Sequence, residues 1–416
     1  MTTATASPTG TASLADQSAA RRLVRGLSLT VFLQWFGASA IIPMLPLYIR
    51  QRGGTDTLAG IVMAAFFAAG VVSQYPAGRL ADRIGRRPVL LAGLAIYGVA
   101  SLAFLAPLGP VWDIGLRALQ GAGAGAAEVA ALAMVAGAVP ADRRGKAFAS
   151  VYGAQIAGMA VGPLVGSILG VDLMWIVFLS AGVASFAACV PATLVTEHRP
   201  DAHSTGVGAD RHHDRVRLRP AITGSLLVAV VLGLAFGVYE ICWTLLLRLR
   251  GATSWQIGLS WTLFAIPFVL MSRPSGWLTD HVDRRRLAVG GLVVTTSMCA
   301  TYPFLHQVPV LLALGGLEAI ATVLVLPAAQ SMLVQSAGPT QLGRVQGLFS
   351  TSQTAATAVA AAVGGALFGA AAWTPFVLVA SIGFVLVPVI AFVWRAVPGT
   401  VDREPPVGVV APIPAT

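Results

Sequence analysis

Four ionisable side chains stand inside long apolar runs of this 416-residue sequence: Arg117, Glu128, Glu240 and Glu318. A charge placed there costs about 2.5–3.5 kcal/mol even on the mildest membrane scale, so each needs a partner, a proton or a counter-charge. Such groups can take up and release protons or recognise a charged molecule. Arg117, Gln120, Gly121, Ala124 and Glu128 recur at three- and four-residue spacing, which puts them on one helix face. Arg117 and Glu128 would stand about 16 Å apart along that helix, too far to pair. Asp113, four residues before Arg117, is spaced to pair with it. Gln34, Trp35, Tyr239, Trp243, Gln155 and Gln353 could line a cavity suited to amphipathic or cationic molecules through stacking and cation–π contact. Trp243, near the end of its run, could equally be an interfacial anchor. Desolvation drives a buried carboxylate toward the neutral acid, and a nearby arginine drives it back. Glu240 is therefore the expected proton-titrating or cation-recognising group.

The elements that hold these residues follow from composition. Apolar residues make up 56% of the chain and charged residues only 11%, against about 25% charged in a soluble domain. So little charge cannot cover a water-facing surface, which excludes a secreted, cytosolic or disordered protein. A membrane helix needs about 20 mostly apolar residues. Twelve such runs occur, at 26–48, 57–77, 88–107, 110–138, 146–169, 173–195, 221–247, 255–277, 287–306, 309–335, 345–369 and 373–394. The pattern predicts an all-α membrane protein of twelve transmembrane helices in two six-helix bundles. The expected divisions are a disordered tail over 1–23, a bundle over 24–195, a polar linker over 196–219, a second bundle over 220–395 and a tail over 396–416.

The net charge of +10 is a matter of topology and implies no nucleic acid. With the N-terminus in the cytoplasm, most basic residues fall on that side, and Arg50, Arg52, Arg248 and Arg250 remain outside. Both termini are then cytoplasmic, in a multi-pass protein of the cell membrane. Cys189, Cys242 and Cys299 lie in apolar runs without metal-ligand spacing and read as core residues. No phosphate-binding loop, nucleophile–base motif or metal cluster suggests an enzyme, a cofactor or a metal site.

A shift of 198 residues aligns the two halves without a gap. Arg50, Arg52 and Gly53 fall on Arg248, Arg250 and Gly251, and Gly60 falls on Gly258. Pro76, Gly78, Asp82, Arg86 and Arg87 fall on Pro274, Gly276, Asp280, Arg284 and Arg285, while Gln155 meets Gln353. Parallel repeats predict a pseudo-two-fold axis along the membrane normal and a site between the halves.

Within this frame Gly78-Arg-Leu-Ala-Asp82-Arg83-Ile-Gly85-Arg86-Arg87 resembles the signature loop of the major facilitator superfamily, and the segment from Gly276 through Asp280 to Arg284 and Arg285 is its degenerate echo. The resemblance implies a latch that holds the cytoplasmic side shut, in which Asp82 pairs with arginines. Arg117 and the glycines after it resemble the family's motif for a buried arginine linked to proton coupling. Gly158, Gly162, Pro163 and Gly166 resemble the antiporter motif of drug:proton exporters, with Ser167 where that motif closes on glycine. The three glycines share one helix face and would let another backbone come close, suiting a seal at the interface between bundles.

The resemblance covers residues 24–395 and implies a monomeric proton-driven exporter of small organic molecules working by alternating access. A symporter or facilitator for a sugar or other metabolite has the same fold, and a non-transporting membrane receptor is the third class considered.

Overall fold

The computed structural model describes residues 14–106, 109–139, 141–194, 219–336, 341–395 and 397. The linker at 196–218 and the tail beyond 397 lie outside the described residues. The described chain is helical: α1 (Leu14–Ile41), α2 (Leu45–Gln51), α3 (Asp56–Ile84), α4 (Arg86–Ala103), α5 (Trp112–Ala138), α6 (Ala141–Leu169) and α7 (Met174–Leu194) precede the linker. After it come α8 (Pro220–Val238), α9 (Thr244–Leu249), α10 (Ser254–Leu270), α11 (Ser272–His281), α12 (Arg284–Thr301), α13 (Val308–Ser336), α14 (Leu342–Ala370) and α15 (Thr374–Trp394). α1 starts at Leu14, inside the stretch expected to be a disordered tail.

Among the described residues ten helices are long and apolar enough to cross a membrane, and eleven if α1 and α2, bent by 40°, form one span. The expected count of twelve is not reached, because the run at 255–277 breaks after Leu270. Pro274 explains the break: it has no amide hydrogen, and its ring clashes with the carbonyl four residues back, at Leu270. Pro43 and Pro46 act in the same way on the α1–α2 bend.

Repeat-related positions adopt matching geometry. Gly53 and Gly251 end α2 and α9 with φ of 80° and 81°, in the left-handed region that favours glycine. The amide of Gly54 reaches the Ile49 carbonyl at 2.9 Å, and that of Ala252 reaches Leu247 at 2.9 Å. These are the same six-to-one closure of a helix C-terminus, 198 residues apart. Thr55 and Thr253 then cap α3 and α10.

The buried core falls into three clusters. One joins residues from both sides of the linker, including Ile41, Met63 and Phe178 with Tyr239, Leu246 and Phe376. The second holds only residues between Leu23 and Ala192, and the third only residues between Ile222 and Trp394. The halves are therefore fused at the end where α2 meets α3 and separate at the end where α3 meets α4. Two seams close the fused end. α3 meets α14 where Gly60 lies against Ala361 and Gly365, and α10 meets α6 where Gly258 lies against Pro163 and Ser167. A register of 198 maps the first contact set onto the second.

Candidate functional site

Arg117 sits on α5 at the fused end with 1% of its surface exposed. Its Nη1 donates to Gln120 Oε1 at 2.9 Å, and its guanidinium carbon lies 4.5 Å from the Phe66 ring centroid. Gln120 passes the chain of hydrogen bonds on to Ser101 at 2.8 Å. Nε of Arg117 has no partner. The expected pair with Asp113 does not form. Asp113, one turn nearer the helix start, is held instead by Arg52 at 3.2 Å, because α2 brings that guanidinium over the N-terminus of α5.

Glu240 comes from the other half. It lies on a π-helical turn, Tyr239–Trp243, inserted between α8 and α9. Such turns widen a helix by one residue and recur at functional sites. Glu240 is 7% exposed and its Oε2 has no hydrogen-bond partner. Arg117 and Glu240 are close enough to feel each other's charge, yet no ion pair joins them among the described residues. Each half thus contributes one buried ionisable group to the fused end.

The same π-helical turn presents Tyr239 and Trp243 to a narrow cavity in the second half. Phe236, Trp261, Phe264 and Tyr302 complete an aromatic wall, and Glu318 of α13 supplies a carboxyl group. Glu318 is 2% exposed and accepts from the Tyr239 hydroxyl at 2.9 Å and from Tyr302 at 2.6 Å. Trp243 is buried and donates to Ser260 at 2.9 Å, so it is a cavity wall and not an interfacial anchor. The exposed tryptophans Trp112, Trp175, Trp255, Trp277 and Trp373 fit the anchor role better.

A second narrow cavity lies in the first half and gathers Gln34, Trp35, Glu128 and Gln155. Gln34 accepts from Ser185 at 2.7 Å while its Nε2 stays unpartnered. Glu128 is half-buried here, well away from the Arg117 cluster, as helix geometry requires. Gln353 does not join either cavity. Its carbonyl takes the Thr357 hydroxyl at 3.0 Å, and α8 packs over it at Gly233.

The loop arginines hold their own halves. Arg86 donates to the Ala133 carbonyl at 2.6 Å and Arg87 to the Thr193 carbonyl. In the second copy Arg284 donates to the Thr279 carbonyl at 3.0 Å, and Arg285 to those of Trp394 and Arg395 at 3.0 and 2.9 Å. Arg87 and Arg285 thereby cap the C-termini of α7 and α15, where carbonyls and helix dipole favour a cation. Gly78 lies against Val129 of α5, and Gly85 takes φ 103° at the α3–α4 corner. Asp82 and Arg83 are exposed, and no ion pair to Asp82 exists among the described residues. The pairing expected of Asp82 is therefore not present among the described residues. The Asp280 side chain lies outside the described ones.

The three glycines of α6 do share a face, but it meets α1 of the same half and not the opposite bundle. Gly158 lies against Phe32 and Phe36, Gly162 against Phe36 and Ser39, and Gly166 against Ala40. The opposite face of α6 makes the seam: Pro163 and Ser167 meet Gly258, and the Ala160 carbonyl accepts from Thr262 at 2.8 Å.

A multi-pass helical bundle, joined at one end around buried charges and parted at the other, has the architecture of a membrane transporter. The model of the Major Facilitator Superfamily matches residues 27–247 and 225–414, and the chain belongs to that superfamily. It is a transporter and not an enzyme. It is 27% identical to the tetracycline resistance protein, class E, of Escherichia coli over 353 residues, covering 79% of this chain and 83% of that one. It is also 28% identical to the multidrug resistance protein MdtG of Dickeya zeae, over 78% and 83% of the two chains. Among solved structures, a D-xylose–proton symporter superposes with a TM-score of 0.70 at 15% identity, covering 90% of this chain and 98% of that one. That likeness extends to the fold alone.

Proposed function

We propose that the chain works as a monomeric proton-coupled antiporter that exports small organic molecules from a bacterial cell, with both termini in the cytoplasm. In that orientation the fused end faces outward and the parted end faces the cytoplasm, an inward-open state. The observation that carries the reading is the two buried ionisable groups divided between the halves, Arg117 on α5 and Glu240 on the π-helical turn. Removal from water favours the neutral acid, and an approaching guanidinium favours the carboxylate. Rocking one half against the other changes both influences on Glu240 at once, so proton loading is tied to which side is open. Asp82, Arg86, Arg87, Arg284 and Arg285 would close the cytoplasmic end in the alternate state. The names of the tetracycline and multidrug resistance relatives favour export over sugar symport.

The test is accumulation of a varied panel of toxic and fluorescent compounds in pump-deficient bacteria expressing the chain. Lower accumulation, abolished by a protonophore and by Glu240→Gln, is expected. Proton-sensitive export that survives Glu240→Gln would remove Glu240 from the coupling. Export indifferent to the protonophore would remove proton coupling itself.

A further inference from the structure

Arg52 and Arg250 are repeat-related, at the C-termini of α2 and α9, yet they turn to different partners. Arg250 donates to the Pro303 carbonyl at 2.5 Å, on the corner between α12 and α13. The counterpart of Pro303 is Leu105, on the corner between α4 and α5. Arg52 instead uses its Nη1 to bond the Tyr48 hydroxyl at 3.1 Å and the Asp113 carboxyl at 3.2 Å. Neither partner exists in the second half, where Tyr48 falls on Leu246 and Asp113 on Leu311. Beside Arg52 opens a cavity of about 430 Å³, walled by Tyr48, Leu105, Met174 and Trp175. Asp172, from the corner between α6 and α7, lines it too and accepts from the Gln51 amide at 3.0 Å. Gln51 and Asp172 are also particular to this half, falling on Leu249 and Ala370. None of the lining residues belongs to a seam, to the Arg117 cluster or to either narrow cavity.

We propose that this pocket binds a zwitterion with a primary ammonium and a phosphodiester, as in a phosphoethanolamine headgroup, the ammonium on Asp172 and the phosphate on Arg52. Asp172 gives Gln51 one carboxylate oxygen and leaves Oδ2 without a partner among the described residues. Arg52 engages Tyr48 and Asp113 through Nη1 alone. Its Nε–Nη2 edge, two parallel N–H donors suited to a phosphate, has no partner among the described residues. Arg52, Asp113 and Asp172 sum to one negative charge, and the neighbouring Arg50 and Asp56 cancel. A bare anion is therefore repelled, and the ligand must bring a cation. The corner at 104–106 follows the C-terminus of α4, where carbonyls and helix dipole favour N–H donors of positive charge. Pro303 shows that use in the other half, where its carbonyl takes the Arg250 guanidinium. A primary ammonium can donate to such acceptors, and a trimethylammonium cannot. Leu105 and Trp175, 41% and 54% exposed, form an apolar ledge beside the pocket, and Trp175 marks the membrane boundary. The second arm of a phosphodiester can run along that ledge toward a bilayer, as an amino-acid carboxylate could not. The volume lies within the range of small-molecule pockets.

The site is independent of the proposed export. Its ligand could come from a lipid of the bilayer or as the free headgroup in solution, and the test separates the two. Equilibrium binding to the purified full-length chain in detergent is measured with phosphatidylethanolamine, phosphatidylcholine and phosphatidylglycerol of equal acyl chains, corrected for protein-free micelles. Glycerophosphoethanolamine, which lacks the chains, serves as the soluble competitor. Saturable binding of the ethanolamine lipid is expected, at least fivefold tighter than that of the other two. Asp172→Asn, a change to an exposed side chain, should remove this preference. Ala106→Trp, which fills the pocket, should abolish the binding. Competition by glycerophosphoethanolamine would support the site with the free headgroup as ligand, and its failure to compete would support the site with the lipid as ligand. Equal binding of the three lipids by the unaltered chain overturns the site, whether or not the variants fold. So does an ethanolamine preference that survives both substitutions.

Discussion

The two ends of the molecule are built from the same repeat, yet they hold together by different means. At the fused end, backbone meets backbone across the halves, through Gly60 on Ala361 and Gly365 and through Gly258 on Pro163 and Ser167. At the parted end, long arginines reach carbonyls within their own half, Arg87 to α7 and Arg285 to α15. Small residues allow tight contact but tolerate no added volume, so such a seam is either closed or open. Arginine–carbonyl caps survive when the halves part, so they preserve each bundle as a rigid body. One end therefore decides the conformation and the other keeps the moving parts intact.

The largest effect should come from spoiling a seam. A Cβ at Gly60 would stand 2.5 Å from the Ala361 carbonyl oxygen, so Gly60→Leu cannot close α3 on α14 as it stands. Overpacking of about 1–3 kcal/mol would shift the balance between conformations by about 5–150-fold. The expected readout is faster labelling by a membrane-impermeant thiol reagent of a cysteine placed at Thr262, whose hydroxyl bonds Ala160 across the second seam. Labelling no faster than in the parent would mean that the seam does not set the conformation. A change inside one half gives the contrast. Asp113→Ala removes the buried partner of Arg52 and should cost about 1–3 kcal/mol, read as a lower unfolding midpoint in detergent, without changing that labelling rate.

Much of this arrangement is legible in the sequence, and the repeat is the reason. Matching charges and glycines at one spacing already place Gly53 with Gly251 and Gly60 with Gly258, and these pairs share their turns and seams. The same register picks out Trp261 and Phe264 as counterparts of Met63 and Phe66, although apolar spacing alone marks neither as cavity wall. Tyr302 carries a weaker signal, a phenol near the end of an apolar run. What periodicity cannot supply is the direction a face looks. The glycines of α6 share a face by spacing alone, but only packing shows that it meets α1. Asp113 likewise has two arginines within reach, and the bend imposed by Pro43 and Pro46 decides for Arg52. The π-helical turn at Tyr239–Trp243 leaves no mark in apolar periodicity, yet Glu240 and the cavity aromatics both lie on it.

The smallest expected effect separates the two corners of the parted end. Gly85 and Asp283 are repeat-related and both join a membrane helix to the next, but they solve the turn differently. Gly85 does so with φ 103° and ψ 155°, a conformation essentially closed to other residues. Asp283 keeps an ordinary φ of −56° and caps α12, accepting from the amides of Arg285 at 2.8 Å and Arg286 at 3.2 Å. Gly85→Ala should therefore cost about 1–3 kcal/mol in strain, and Asp283→Ala about 1 kcal/mol in lost capping. The two also differ in pH response. Partial burial pushes the Asp283 carboxyl up, but the Arg286 amide, with the side chain and amide of Arg285, outweighs it and holds the group below its ordinary value of 3.8. A depressed value means that the contribution is complete above the ordinary value and disappears as pH falls through the lowered one. The gap in unfolding midpoint between Asp283→Ala and the parent should thus be constant near neutrality and shrink in acid, while the gap for Gly85→Ala should not change. A deficit in Asp283→Ala that persists at the lowest pH the fold tolerates would assign this corner to shape, as at Gly85, and not to charge.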